Sequence, residues 1–165
     1  VWGRNPGFTL VLGKSAEASG ACPLTKIMLI GEYRYRVGLK NRIALPKKLR
    51  EDLGSRVVAM RGYEGSILVV SQRGWSKLVE EVLNGPLTNS QIRDTARFLM
   101  GGAHEIELDA QGRFVLPPSL IEHAGITVGG EVVFVGLGRW VEIWSAPRWI
   151  ERLRDLREHS PRIDL

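Results

Sequence analysis

The sequence predicts an α+β fold, mainly β, built from two tandem copies of one small module with short helices. Three observations carry that prediction. The chain matches itself when slid by 71 residues, with Val37-Gly38-Leu39-Lys40-Asn41-Arg42-Ile43-Ala44-Leu45-Pro46 lying over Leu108-Asp109-Ala110-Gln111-Gly112-Arg113-Phe114-Val115-Leu116-Pro117. Each copy contains short β-branched runs bounded by Gly, Asn and Pro, the punctuation of strands rather than of long helices. A length of 165 residues, 44% hydrophobic and 25% charged, suits one compact domain or two small ones.

The repeat extends beyond its best-matched stretch. Leu49 falls on Leu120 and Gly54 on Gly125 at the same offset, and Val57-Val58 falls on Val132-Val133 after a short insertion. Val69, Ser71 and Trp75 then align with Ile143, Ser145 and Trp149. The copies therefore run from about 32 to 82 and from about 103 to 157.

In each copy a strand, at 32–38 or 104–108, meets a tight turn at Leu39-Lys40-Asn41 or Ala110-Gln111-Gly112. A second strand follows at 42–45 or 113–116, and Asn41 or Gly112 supplies a residue tolerant of positive φ, so a β-hairpin is expected. Pro46 and Pro117 suit the start of a short helix with Leu49 and Leu53, or Leu120 and Ile121, on its apolar side; Gly54 and Gly125 end it. Strand pairs are predicted at Val57–Met60 with Ile67–Val70 around Gly62–Gly65, and at Val132–Val135 with Val141–Trp144 around Gly136–Gly138. Amphipathic helices at 72–83 and 147–157 close the two copies. Between them Gly85-Pro86 breaks the chain, and Thr88 or Asn89 caps a connecting helix over Gln91–Met100 that ends at Gly101-Gly102. A hairpin-rich module of about 50 residues buries too little to stand alone, so the copies are expected to share one core about a pseudo-two-fold axis.

Charge is distributed unevenly. The segments 1–27, 28–82 and 83–165 carry +2, +5 and −2, for a total of +5. The middle surplus is complete between Met28 and Met60, where Arg34, Arg36, Lys40, Arg42, Lys47, Lys48, Arg50 and Arg56 face only Glu32, Glu51 and Asp52. That stretch is the candidate electrostatic footprint for a polyanion. No apolar run approaches the roughly 20 residues of a membrane span. The single Cys22 cannot form an intrachain disulfide, and His104, His123 and His159 lack metal-ligand spacing, so a reducing compartment and no metal are expected. Gly7 and Gly13-Lys14-Ser15 are spaced one residue too far for a P-loop, and Lys14 and Glu17 interrupt any export signal. Gly136-Leu137-Gly138 lacks the third glycine of a dinucleotide fingerprint and reads as a turn.

The motif Leu108-Asp109-x-x-Gly112-Arg113-x-x-Leu116-Pro117, its partner ending Lys40-Asn41-Arg42-Ile43-Ala44-Leu45-Pro46, and their tandem arrangement resemble the MraZ family of bacterial transcriptional regulators. That likeness covers about Met28 to Leu156. It implies SpoVT-AbrB modules over 32–79 and 103–147, a linking helix over 85–101, and a C-terminal helix and tail over 148–165. It further implies a double-split (swapped-hairpin) β-barrel of the AbrB/MazE/MraZ kind and a ring-shaped homo-oligomer. The implied function is sequence-specific binding to direct repeats in promoters of the division and cell-wall gene cluster, in the cytoplasm and at the nucleoid. An AbrB- or MazE-type antitoxin or transition-state regulator is the alternative. Residues 1–27 lie outside the likeness and are expected to be a disordered extension.

The family's Asp-x-x-x-Arg motif falls on Asp109 and Arg113 in the second copy but on Gly38 and Arg42 in the first. A carboxylate four residues before an arginine, across a turn, accepts turn amides and orients the guanidinium; Asp109 is therefore an orienting residue, since a carboxylate repels phosphate. The candidate DNA contacts are Arg42, Arg113, Lys40, Lys47, Lys48 and Arg50, because a planar guanidinium holds phosphate bidentately or grips guanine O6 and N7. No second carboxylate, histidine or nucleophile accompanies Asp109 and Arg113, so no enzyme, cofactor or small-molecule substrate is expected. The expected partners are double-stranded DNA and other copies of the chain. Trp75, Trp140, Trp144 and Trp149 read as core or subunit-contact residues.

Overall fold

Eight strands and five α-helices succeed one another in the computed structural model, which describes residues 28–159. The expected disordered extension over 1–27, the glycine-lysine-serine run within it, and the end of the tail lie outside the described residues. In the first copy β1 (Leu29–Arg36) and β2 (Arg42–Ala44) are followed by α1 (Lys47–Leu53), β3 (Arg56–Arg61), β4 (Ile67–Ser71) and α2 (Gln72–Val82). The linking helix α3 spans Ser90–Leu99. The second copy runs through β5 (His104–Glu107), β6 (Arg113–Val115), α4 (Pro118–Ala124), β7 (Glu131–Gly138), β8 (Val141–Ser145) and α5 (Ala146–Glu158).

Local chemistry explains most of these boundaries. Gly54, at φ 83°, and Gly125, at φ 62°, end α1 and α4 in conformations that carry no penalty only for glycine. Ser71 Oγ accepts the Gly74 amide at 3.1 Å to cap α2, and Asn89 Oδ1 accepts the Gln91 amide at 2.9 Å to cap α3. Strands β3 and β7 read as continuous apolar runs because both of their faces are covered; Val57, Val58, Ala59 and Met60 are all buried, as are Val132 to Val135.

The strands form an antiparallel six-stranded sheet in the order β1-β7-β8-β4-β3-β5, and β2 pairs with β6 in a separate antiparallel ribbon. This corrects the expected hairpins. The strands flanking each tight turn do not pair with one another: β1 pairs with β7, β2 with β6, and β5 with β3. Length matching supplies the reason. The eight residues of β1 run fully against the eight of β7, from Leu29 opposite Gly138 to Arg36 opposite Glu131. Strand β2, cut short by Pro46, has only three residues to offer and finds a three-residue partner in β6. The sheet does not close on itself, since β1 and β5 remain its edges.

A second correction concerns Gly136–Gly138, expected as a turn. Strand β7 continues through these residues, and the turn falls at Arg139-Trp140, closed by the Leu137 amide on the Trp140 carbonyl at 2.9 Å. Gly136 lies opposite Gly31, so close that a methyl group on it would sit 2.7 Å from the Ile30 nitrogen. The glycine thus admits the neighbouring strand rather than bending its own.

One core joins the copies as expected. Ile43, Leu49, Val57 and Ile67 from the first pack with Phe114, Leu116, Leu120, Phe134 and Ile143 from the second. Trp144 is buried with Val133 and Val135 against Trp149 of α5, whereas Trp75 and Trp140 are half-buried around Met60, Val70 and Leu99.

Candidate nucleic-acid interface

The ribbon of β2 and β6 presents the candidate site. Ile43 and Phe114 face each other and turn inward to the core, so period-two alternation puts Arg42, Ala44, Arg113 and Val115 on the opposite face. Arg42 lies across from Val115 and Arg113 from Ala44, which makes the two arginines diagonal neighbours. Arg36, Gly38, Leu39, Lys40, Arg42 and Arg113 border one open depression, and all six are exposed. Three arginines from two different ladders and Lys40 from the turn between them therefore converge without an intervening carboxylate in that lining.

The two turns that feed the ribbon are built on the same plan and filled differently. In each, the first residue's amide bonds the arginine carbonyl across the turn, from Gly38 to Arg42 at 2.8 Å and from Asp109 to Arg113 at 2.9 Å. Each turn is also clipped to the other copy. The Leu45 amide donates to the Gly112 carbonyl at 2.9 Å, and the Leu116 amide to the Asn41 carbonyl at 3.0 Å. In the first turn Lys40 and Asn41 take left-handed conformations, at φ 57° and 58°. These hold Leu39 at the tip, where it is 83% exposed.

In the second turn Asp109 organises the backbone and the arginine together. Its Oδ1 accepts the Gln111 amide at 2.9 Å and the Arg113 amide at 2.8 Å, while Oδ2 accepts Arg113 Nε at 2.8 Å. Gln111 Oε1 accepts Arg113 Nη2 at 3.2 Å. The Arg113 amide, aided by the guanidinium and the Gln111 amide, lowers the pKa of the Asp109 carboxyl. Arg42, lacking an Asp at position 38, makes no side-chain hydrogen bond or ion pair among the described residues.

The remaining predicted residues are spread more widely. Lys40 borders the depression, whereas Lys47 and Lys48 are exposed on the first turn of α1 and lie outside its lining. Arg50 is half-buried: its guanidinium lies over Gly112, where a Cβ would collide with it, and it borders a second depression beside Asp109 and Ala110. Arg36 was not singled out by sequence reasoning, although it belongs to the basic stretch. Its place is set by the chain itself, since Arg36 lies two residues before Gly38, whose amide bonds the Arg42 carbonyl, and by the pairing of β1 with β7. Among the described residues no cluster of His, Cys, Asp and Glu could hold a metal ion, and no helix is long and apolar enough to cross a membrane.

Comparison with known proteins identifies two tandem matches, over residues 28–98 and 99–162, to the family model described as "MraZ protein, putative antitoxin-like". A protein of Clostridium acetobutylicum named transcriptional regulator MraZ is 40% identical over 124 residues, covering 75% of this chain and 86% of the relative. Relatives of the same name from Caldicellulosiruptor bescii and Thermus thermophilus are 40% and 36% identical over 126 and 134 residues, covering 87% and 93% of their own lengths. In this chain the corresponding stretches are 76% and 81%.

Proposed function

The chain belongs to the MraZ family, and from that premise we propose that it is a sequence-specific DNA-binding transcriptional regulator that acts through the β2–β6 ribbon. The observation that carries the reading is the convergence of Arg36, Lys40, Arg42 and Arg113 on one exposed depression. Cations at hydrogen-bonding distance from a duplex release condensed counterions, and a guanidinium on a narrow ribbon reaches either a phosphate or a base edge. Lys47 and Lys48 extend the positive field, while Arg50 supports the second turn from behind and Asp109 orients Arg113.

The relatives' name supports regulation of transcription. The target is the promoter direct repeats of the division and cell-wall gene cluster, engaged by a ring of identical subunits in the cytoplasm and at the nucleoid. A ring suits the site, because a few phosphate contacts per subunit bind weakly alone and strongly when several subunits engage repeated sequence. The cross-copy pairing of β2 with β6 and of β1 with β7 supports a double-split, swapped-hairpin barrel as the underlying architecture.

The test is fluorescence anisotropy on a duplex of the promoter repeats, with the oligomer mass measured in the same buffer. Arg42→Ala and Arg113→Ala are expected to weaken binding at least tenfold, and native affinity is expected to fall steeply with salt. Full, salt-dependent affinity in both variants would refute the site. The family description also keeps an antitoxin reading in view; copurification of a stoichiometric toxin whose activity the chain suppresses would favour it.

A further inference from the structure

Resting on the DNA-binding reading, we propose that the two turns divide the work: the second reads base edges through a pre-set Arg113, and the first grips phosphate through Lys40 and Arg42. Three differences between otherwise matching turns carry this. The first is charge. Residues 38–42 include two cations and no anion, whereas 109–113 include one of each. Counterion release follows the cations that meet phosphates, so the first turn is suited to backbone contact, and Asp109 makes the second a poor one.

The second difference is orientation. Arg113 Nε is committed to Asp109 Oδ2, and Nη2 spends one hydrogen on Gln111 Oε1. The side chain stays 45% exposed, and the two Nη1 hydrogens with the remaining Nη2 hydrogen form a free edge. Two acceptors at 2.8 and 3.2 Å fix the guanidinium plane, so the free edge is aimed before the duplex arrives. A fixed fork suits the paired acceptors O6 and N7 of a guanine, which demand a direction. Phosphate oxygens accept from a wide range of angles and need no such aim. Arg42 has no comparable partner and is suited to the less demanding task.

The third difference is support from behind. Gly112 leaves room for the Arg50 side chain to lie against the second turn, whereas the matching position in the first turn is Asn41 and the residue matching Arg50 is Ile121. The second turn is thus held by its own carboxylate within the loop and by a long side chain from α1. Rigid support of this kind is what a direction-dependent contact requires.

Arginine-to-lysine variants separate the two roles, because lysine keeps the charge and loses the planar fork. The probe is the duplex that the full native chain enriches from a random pool, together with the same duplex carrying each base pair substituted in turn. Arg113→Lys is expected to reduce discrimination at one G·C position by roughly 5- to 150-fold while leaving the salt slope unchanged. Arg42→Lys is expected to keep both discrimination and salt slope, whereas Lys40→Ala and Arg42→Ala each lower the slope by about one and weaken all duplexes alike. Asp109→Asn, which retains the Oδ1 acceptor for the two amides, is expected to share the discrimination loss of Arg113→Lys. Both arginine sites are exposed, and a thermal melt checks that each variant folds. Equal loss of discrimination in Arg42→Lys and Arg113→Lys, or a larger loss in Arg42→Lys, overturns the division of work. Failure of the native chain to enrich any duplex from the pool would instead overturn the DNA-binding reading on which it rests.

Discussion

Replacing Gly136 with alanine places a methyl group between β7 and the edge strand β1. Its carbon would lie 2.7 Å from the Ile30 nitrogen and the Leu29 carbonyl carbon, and 2.8 Å from the Leu29 oxygen. All three are backbone atoms, so no side chain can swing away to relieve the contact. Restoring about 3.4 Å requires the strands to part by about 0.7 Å, and forcing an extra carbon into a packed site of this kind costs about 1–3 kcal/mol. The chain has one other course, to release the start of β1. Leu29 is buried to 4% exposure in the shared core, and freeing it forfeits about 1.5–3 kcal/mol. Either way the expected loss is about 2 kcal/mol, or roughly 4–8 °C in melting temperature for a chain of this size. Gly138→Ala in the same strand is the control, because its backbone is left-handed at φ 80° but nothing stands where a Cβ would go. It should cost about 1 kcal/mol of backbone strain alone. Thermal unfolding ranks the two variants, and hydrogen exchange should rise at Gly31 and Tyr33, whose amides face β7, in Gly136→Ala. DNA affinity measured well below the melt should stay within about twofold of native, since the far end of β1 and the first turn are undisturbed. A Gly136→Ala variant as stable as Gly138→Ala would refute the close-approach argument.

Other expectations follow from the same geometry. Arg36→Ala should lower the salt slope of DNA binding by about one and weaken all duplexes alike; an unchanged slope would remove Arg36 from the interface. Burial raises the pKa of the Glu142 carboxyl, against the hydrogen bond it accepts from Trp144 Nε1 at 2.9 Å. Its ionised form is therefore costlier in the folded chain, and stability falls as pH rises from about 4.3 through the raised native value. Glu142→Gln, which keeps an acceptor for Trp144, should melt higher than native at pH 7 and level with it below about pH 4. For Asp109 the sign is opposite: its pKa is lowered, so its contribution is present above about 3.9 and is lost as pH falls through the native value. A carboxyl NMR titration should place its midpoint below that of free aspartate. Arg113→Ala should restore only part of the difference, because the amide at 113 is the leading cause.

How far the residues announced this structure depends on the range of the interaction. The repeat, the helix ends at Gly54 and Gly125, the cap at Asn89 and the pairing of Asp109 with Arg113 are local, and spacing in the chain was enough to find them. Strand partners are not local. Alternation along β2 assigns Ile43 to the core and Arg42 to the surface, yet it is silent on whether the partner is six residues away or seventy. The hairpins were misread for that reason. The same blindness hid the packing of Arg50 on the opposite copy's Gly112, whereas Arg36, two residues before the Gly38 that bonds Arg42, was within local reach. Gly136 was misread as a turn because a glycine that permits close approach and one that permits a bend look alike in a sequence.

The reciprocal clips between the turns bear on how the chain is made. The Leu45 and Leu116 amides each find their acceptor in the other half, and β1 has its ladder partners from 95 (Arg36 to Glu131) to 109 (Leu29 to Gly138) positions downstream. During synthesis the amino-terminal half emerges with β1 and β2 unpaired and must wait for the carboxyl-terminal half before it can close. Folding is thus rich in distant contacts, which makes it slow and leaves nascent strands open to mispairing with neighbouring nascent chains. Gene duplication here has yielded two halves that no longer have separate lives.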